Sequence, residues 1–153
     1  MRFAIVRPGR PPSSQSSGAR KFSARLHAEA AERYSDGVVQ EGDLYTRIIW
    51  FHAGGLGGQD VDNIIKPIHD ALIGVVYKDD VLIAQCLAAR VDLSAGYELK
   101  DEGLPAEEYD TLVGMLAEAP QATEDRRRHV LYVEVGVLAA QRVAFGPPDG
   151  VGP

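Results

Sequence analysis

The sequence predicts a single α+β domain in which two to three helices pack on a small mixed sheet. Three observations lead to this fold class. The chain has 153 residues, enough for one hydrophobic core. Its hydrophobic share of 45% and its charged share of 25% are ordinary for a globular protein. Stretches with the two-residue period of strands alternate along the chain with stretches that have the longer period of helices.

Four strands and three helices are predicted, largely in alternation. The strand segments are rich in β-branched and aromatic residues, and the helical segments repeat apolar residues every three or four positions. Pro105 suits the first turn of the last helix. Pro67 limits where the regular part of the middle helix begins, near Ile65, because a proline inside a helix costs about 3 kcal/mol. The predicted strands are 2–7, 44–53, 81–93 and 129–138, and the predicted helices are 19–34, 61–76 and 105–118.

The predicted domain covers residues 1–145. Within it, residues 94–128 are acidic and are interpreted as an insertion. Residues 146–153 (GPPDGVGP) are predicted to form a disordered tail. The glycines at 54–58 predict a mobile loop, but they do not form the GxGxxG pattern of a dinucleotide-binding loop.

Membrane and secreted classes are not expected. No run approaches the roughly 20 apolar residues that span a bilayer, and the N-terminal MRFAIVRPGR has no apolar core of a secretory signal. The single cysteine, Cys86, cannot form an internal disulfide, and no Cys/His cluster indicates zinc. These features favour a cytoplasmic protein. Because Cys86 stands in an apolar run, it is predicted to lie in the core.

Charge is distributed unevenly along the chain. The net charge is −6, yet residues 1–33 carry seven Lys or Arg and two acids, whereas residues 101–125 carry eight acids and no Lys or Arg. A basic face can bind phosphates on an acidic protein, because salt screens charges beyond about 10 Å. Two solvated faces are the alternative, and the acidic segment 101–125 is a candidate surface for a protein partner. The candidate DNA-binding residues are Arg7, Arg10, Arg20, Lys21 and Arg25.

The stretch from Asp60 to Asp80 concentrates the residue types that metal-dependent hydrolysis uses. Asp60 and Asp62 project in similar directions if the backbone is extended, and a turn after the next helix can return two more carboxylates. Like carboxylates at close range need a counter-charge. Mg²⁺, with its preference for oxygen ligands, supplies one and can activate water in phosphodiester hydrolysis. The stretch reads DVDNIIKPIHDALIGVVYKDD and holds Asp60, Asp62, Lys66, Asp70, Asp79 and Asp80.

Each acidic residue of this stretch also has an ordinary structural interpretation. Asp62 and Lys66 form an acid-first i,i+4 pair, worth about 0.3 kcal/mol on a helix surface. Asp60 or Asp62 can be a helix N-cap, and Asp79 and Asp80 can be turn residues. Taken singly, these interpretations are commoner than catalysis. They do not explain why all the groups surround one amphipathic helix.

The same stretch resembles the RusA family of Holliday junction resolvases. The family's Asp-x-Asp-Asn-x-x-Lys motif is matched by residues 60–66, its Asp-Ala-Leu by residues 70–72, and its later Asp-Asp pair by Asp79 and Asp80. The Pro11-Pro12-Ser13 loop and the basic helix after it are similar to the family's start. The resemblance covers residues 1–93 and resumes in the strand at 129–138.

The resemblance implies a homodimeric, structure-selective endonuclease that uses Mg²⁺, or alternatively Mn²⁺, to cut four-way DNA junctions by paired symmetric nicks. The family's catalytic residues correspond to Asp60, Asp62, Lys66 and Asp80 of this sequence. Its metal ligands correspond to Asp60, Asp62 and Asp80, with the adjacent Asp79 as a further candidate. Two alternatives stay open: a RusA-like nuclease for other branched or duplex DNA, and a non-catalytic nucleic-acid-binding or partner module of the same fold.

Four residues near the motif are predicted to be structural. His69 is interpreted as a packing or surface histidine and Tyr77 as a core residue. Trp50 and Phe51 are neighbours in a strand, so alternation predicts that one is buried and the other exposed.

Overall fold

The structure is a computed structural model that describes residues 2–34, 39–55, 59–100 and 102–148. It confirms the α+β class with a mixed sheet and three helices among the described residues. The strands are β1 (Phe3–Pro8), β2 (Leu44–His52), β3 (Ile83–Asp92) and β4 (His129–Val137). The helices are α1 (Ala19–Arg33), α2 (Ile65–Leu72) and α3 (Ala106–Glu118).

The strand order in the sheet is β1-β4-β2-β3. β4 pairs antiparallel with both β1 and β2, whereas β2 and β3 run parallel. Parallel neighbours need a crossover that returns the chain to the same end of the sheet. Here the crossover from β2 to β3 contains α2 and the rest of residues 60–80, which carry the Asp-rich motif. The pairing of β2 with β3 therefore fixes the positions of both ends of this stretch.

Two hydrophobic cores cover the two faces of the sheet. Helices α1 and α2 cover one face, and α3 covers the other. Trp50 lies in the first core and Phe51 in the second, and both are buried. The prediction that one of them is exposed was wrong, because alternation exposes a residue only where a sheet has a solvent face.

The acidic segment forms the second layer of the fold. Its helix α3 inserts Leu112 and Leu116 against Ala4 and Tyr132 of the sheet. The carboxylates of this segment are therefore carried by a helix that packs, through its apolar residues, on the sheet face opposite α1 and α2.

Helix α2 is shorter than predicted. It begins at Ile65 after a 3₁₀ turn over Asp62–Ile64, so Pro67 falls in the first turn, where a helix does not need its missing N–H. It ends at Leu72 because the next residue is extended and Gly74 has a φ of +83°. The left-handed conformation of Gly74 turns the chain back toward Tyr77.

Strand β3 is an edge strand with a largely exposed surface. It begins at Ile83, because Asp80–Leu82 form a 3₁₀ turn. The prediction that Cys86 lies in the core was wrong, since Cys86 is exposed on this strand. An apolar run identifies a strand but not its place in the sheet, and neither helical layer extends fully over β3.

Three further observations concern the predicted organisation. None of the described helices combines the length and apolar character needed to cross a membrane. Residues 146–148 of the predicted tail are exposed and form no helix or strand, and residues 149–153 lie outside the described residues. Most of the predicted mobile glycine loop, residues 56–58, also lies outside them.

Candidate active site and nucleic-acid interface

The stretch from Asp60 to Asp80 includes α2 and connects the end of β2 to the start of β3. Asp60 and Asp62 are exposed at the 3₁₀ turn that precedes α2. Lys66 and Asp70 are exposed on α2, one helical turn apart. Asp80 is half-buried at the 3₁₀ turn that precedes β3.

The side chains of Asp60 and Asp62 have no capping role. The N-cap of the 3₁₀ turn is Val61 and that of α2 is Ile64, and neither end has a side-chain cap. The carboxylates of Asp60 and Asp62 make no side-chain hydrogen bond or ion pair with the described residues. The N-cap interpretation is therefore excluded for both residues.

Asp79 does have a capping role. It is the extended N-cap of the turn before β3, and its Oδ1 accepts a hydrogen bond from the backbone N–H of Val81 at 3.0 Å. This bond fixes the conformation of the turn that presents Asp80. The turn interpretation holds for Asp79, whereas the side chain of Asp80 has no such local partner among the described residues.

Lys66 pairs with Asp70. Its Nζ lies 3.1 Å from Oδ1 of Asp70, an i,i+4 ion pair on the surface of α2. The hydrogen bond and charge of Asp70, followed by the charge of Asp80, raise the pKa of Lys66 above its ordinary value. Asp62 is not the partner of Lys66, because the 3₁₀ turn breaks the helical spacing between them.

The turn after α2 brings Asp80 back to that helix. Tyr77 is fully buried, as predicted, and its hydroxyl donates to the carbonyl oxygen of His69 at 2.7 Å. Burial, followed by the negative charge of Asp80, raises the pKa of Tyr77 above its ordinary value.

His69 has a packing role. It is buried, its Nε2 lies 3.0 Å from Oγ1 of Thr46, and burial lowers its pKa below the ordinary value for histidine. This agrees with the packing role expected for it.

The carboxylates suit a hard cation chemically, although they do not converge. In the described part of the chain, no group of three or more Asp, Glu, His or Cys residues could hold a metal ion together. Mg²⁺ keeps several waters and typically takes one or two protein carboxylates together with substrate phosphates. The exposed carboxylates of Asp60 and Asp62 and the half-buried carboxylate of Asp80 are donors of that type.

A cleft of about 320 Å³ lies between α1 and α2, and we call it the Lys66 cleft. Two hydrogen bonds hold its walls together. The N–H of Ser14 donates to the carbonyl oxygen of Asn63 at 2.9 Å, and the hydroxyl of Ser23 donates to that of Pro67 at 2.8 Å. The lining includes Ser14, Arg20, Ser23, Lys66 and Asp70. A predicted DNA-binding residue, Arg20, therefore lines the same cleft as a predicted catalytic residue, Lys66.

A second cleft, of about 390 Å³, collects the other basic residues, and we call it the arginine cleft. It is bounded by the N-terminal loop, by α1 and by the short 3₁₀ helix at Asp125–Arg128 that precedes β4. Its charged lining residues are Arg7, Arg10, Lys21, Arg25, Arg126 and Asp125. Four of the five predicted DNA-binding residues thus meet at one place.

Sequence reasoning missed Arg126. A signal was present, because three consecutive arginines follow the acidic segment. Only the fold distinguishes their roles. Arg126 lines the arginine cleft, Arg127 pairs with Glu124 at 3.7 Å, and Arg128 donates to the carbonyl oxygen of Ala53 at 2.7 Å.

The comparison with protein families finds a match to part of the chain. The model of the family described as Endodeoxyribonuclease RusA matches residues 55–100, a segment that contains Asp60, Asp62, Lys66 and Asp80. A search of curated proteins finds no match for the chain. The family match confirms the resemblance based on the motif, and it indicates a DNA-binding nuclease.

Proposed function

We propose that this protein is a Mg²⁺-dependent endonuclease that resolves four-way DNA junctions by paired symmetric nicks. The observation that carries the proposal is the set Asp60, Asp62, Lys66 and Asp80, which lies within the segment matched by the RusA family. Capping of a turn explains the presence of Asp79. The carboxylates of Asp60, Asp62 and Asp80 cap none of the described turns or helices.

In this proposal, each residue acts according to its position. Asp60, Asp62 and Asp80 would hold Mg²⁺, or Mn²⁺ in its place, which supplies charge stabilisation and an activated water. Lys66 is protonated at neutral pH, as an ordinary lysine is, and would offer a positive charge to the scissile phosphate. Asp70 positions the Lys66 ammonium through their 3.1 Å contact.

The path of the DNA follows from the two basic clefts. Arg20 and Lys21 are adjacent in the first turn of α1 but line different clefts, Arg20 with Lys66 and Lys21 with Arg7. A strand crossing this turn would contact both. The acidic helix α3 packs on the face of the sheet opposite α1 and α2.

The deciding experiment compares a labelled four-way junction with a linear duplex of the same sequence. We expect cleavage of the junction in Mg²⁺ or Mn²⁺, at two symmetric positions, and none in EDTA. Equal cleavage of junctions, flaps and forks would favour the broader branched-DNA nuclease.

One observation favours the non-catalytic alternative. No three metal-binding side chains of the described residues stand close enough to hold an ion together. A binding module would recognise junctions without cutting them under any metal condition, and the same assay distinguishes it from a nuclease. In that case the acidic segment 101–125 would become the candidate surface for a protein partner.

The basic residues of α1 should control the salt dependence of binding. Changing both Arg20 and Lys21 to Ala is expected to weaken junction binding and to flatten the slope of log affinity against log salt by about one to two units, because each phosphate contact contributes about 0.9. Fluorescence anisotropy at several salt concentrations measures both quantities.

The matched control for that variant is the Arg47→Ala, Lys100→Ala double variant. It removes the same two charges, but Arg47 and Lys100 line a cavity beneath α3, on the other face of the sheet. It should leave the slope unchanged. If the two double variants behave alike, the DNA does not contact α1 and the N-terminal loop has a structural role.

A homodimer is part of the proposal, because two symmetric nicks need two equivalent sites. The open edge of β3 supports self-association. No described strand pairs with its outer edge, and Leu87 on this strand is 48% exposed. Such an edge attracts another strand unless charges or prolines block it. A second copy of this chain meets the requirement for two-fold symmetry.

Leu87→Lys is therefore expected to shift the protein from dimer to monomer in sedimentation velocity. Val113→Lys is the matched control, since Val113 is 39% exposed on α3, away from the edge of β3. A wild-type chain that sediments only as a monomer, with and without junction DNA, would contradict both the dimer and the paired nicks.

In the proposed cytoplasmic setting, the exposed Cys86 stays reduced.

A further inference from the structure

The arginine cleft has an excess of positive charge, and one of its arginines is buried. Five cations line it, and the only acid in its described lining is Asp125. Arg7 is the most enclosed, at 9% exposure, and its guanidinium lies over the ring of Phe22 at 5.0 Å. Arginines at this depth are usually paired with carboxylates or other anions.

The pairing within the cleft is incomplete. Nε of Arg7 lies 3.3 Å from Oε2 of Glu29, but Nη1 of Arg7 has no hydrogen-bond partner among the described residues. Nη2 of Arg10 donates to the carbonyl oxygen of Gly55 at 2.9 Å, whereas Nε of Arg10 has no such partner. Three buried guanidinium nitrogens, Nε and Nη1 of Arg7 and Nε of Arg10, therefore lack a hydrogen-bond partner among the described residues.

Electrostatic repulsion between the cations of the cleft also favours the binding of an anion. Burial lowers the pKa of Arg7 most strongly, Glu29 opposes this effect, and the charges of Arg126 and Arg25 lower the pKa further. An anion among these side chains would relieve the repulsion. Charge that accumulates in a cleft also attracts anions from a distance.

The donors select a phosphate group. Guanidinium groups bind phosphate through two parallel hydrogen bonds, and several forks around one site suit an anion with three or four acceptor oxygens. A carboxylate has only two oxygens and would leave donors unpaired. The volume of about 390 Å³ leaves room for the sugar attached to the phosphate.

Asp125 lines the cleft together with these cations. Its Oδ1 lies 3.8 Å from Nη2 of Arg10 and 3.6 Å from Nε2 of His129, and its side chain is mostly exposed. These distances are longer than good hydrogen bonds. Asp125 is thus a weak internal competitor that a phosphate with better geometry would displace.

We propose that the arginine cleft is a discrete pocket for a single phosphate group, with Arg126 as one of its ligands and Asp125 as its built-in competitor. This inference extends the proposed function, and it rests on that function for the assumption that the substrate is DNA. It would anchor one phosphate at the side of α1 opposite the Lys66 cleft. The group can be an internal diester of a strand or a terminal 5′-phosphate, which share the same chemistry.

Inorganic phosphate is the first probe, titrated into the 153-residue chain while the arginine Nε–H signals are followed by NMR. We expect saturable shifts of the Arg7 and Arg10 signals. Arg126→Ala should weaken phosphate binding about tenfold, the loss expected for one charge-assisted pair. Asp125→Asn should strengthen it. Unchanged melting temperatures would show that the variants fold.

Arg127→Ala is the matched control, because Arg127 is the next residue of the same run and lines a different cleft. It should leave phosphate binding unchanged. Equal weakening by Arg126→Ala and Arg127→Ala would show diffuse attraction and overturn the pocket. The absence of saturable shifts at Arg7 and Arg10 would overturn it as well.

Oligonucleotides with and without a 5′-phosphate then identify the source of the group. Tighter binding of the phosphorylated strand that disappears in Arg126→Ala supports a terminal phosphate. Equal binding of both strands, weakened in Arg126→Ala with a salt slope reduced by about 0.9, supports an internal diester. If Arg126→Ala changes neither DNA affinity nor the slope, the pocket has no role in DNA binding.

These tests separate the pocket from the proposed nuclease. Phosphate titration requires neither metal nor cleavage, so a protein that passes it but never cuts DNA retains the pocket and loses the proposed function. A protein that cuts junctions while Arg126→Ala and Arg127→Ala bind phosphate equally retains the function and loses the pocket.

Discussion

Asp62→Asn is expected to abolish metal-dependent cleavage of junctions while leaving DNA affinity intact or slightly higher. The substitution removes a charged oxygen donor at an exposed position with no capping role, so the fold keeps its contacts. Losing a carboxylate weakens the hold on a divalent ion, whereas reducing the local negative charge does not harm phosphate contacts. Asp60→Asn and Asp80→Asn should behave in the same way. Single-turnover cleavage and anisotropy measure the two effects separately.

Asp79→Asn is the sharpest control for these variants. It makes the same change of charge one residue away from Asp80, but an asparagine oxygen can still accept the hydrogen bond from the N–H of Val81. It should retain most of the activity. If Asp60→Asn, Asp62→Asn and Asp80→Asn all cut at the wild-type rate in saturating Mg²⁺, the metal-site hypothesis is wrong.

Lys66→Ala is expected to lower the rate of the chemical step by about a hundredfold or more, the usual effect of losing a preorganised positive charge at a reacting phosphate. Junction affinity should fall only slightly, by the loss of one phosphate contact at most. Lys66 is exposed and paired only on the surface, so the melting temperature should hardly change. Single-turnover rates at saturating protein isolate the chemical step.

Two further variants test how Lys66 acts. Lys66→Arg keeps the charge and should recover part of the rate. Asp70→Asn removes the ion pair that raises the pKa of Lys66 and should lower activity only modestly. A loss in Asp70→Asn as large as in Lys66→Ala would mean that the ion pair, rather than the free ammonium, is needed.

Much of the fold could be predicted, because its determinants are local. Strand β2 and helix α1 have the predicted starts, and each ends one residue earlier than predicted. The exposure of Cys86 could not be predicted in this way. It depends on β3 being at the edge of the sheet, and strand order is set by contacts between segments far apart in the chain.

The candidate site was predictable in its residues but not in its pairings. Lys66 has a carboxylate four positions away on each side, Asp62 and Asp70, and an acid-first pair is the intrinsically better one. The structure forms the other pair, because the 3₁₀ turn at Asp62 removes it from the helical spacing. Arg126 escaped prediction for a related reason, since adjacent residues of a charged run point into different clefts only once the chain is folded.

The last strand in the chain lies inside the sheet. β4 is the only described neighbour of β1 and separates it from β2, and it supplies Leu131 and Val133 to one core and Val130 and Tyr132 to the other. During synthesis on the ribosome, β2 and β3 can pair first, but the four-stranded sheet is complete only after β4 has emerged. Every nascent chain shorter than that carries the acidic motif of residues 60–80 on an incomplete sheet, in which β1 has no described partner strand.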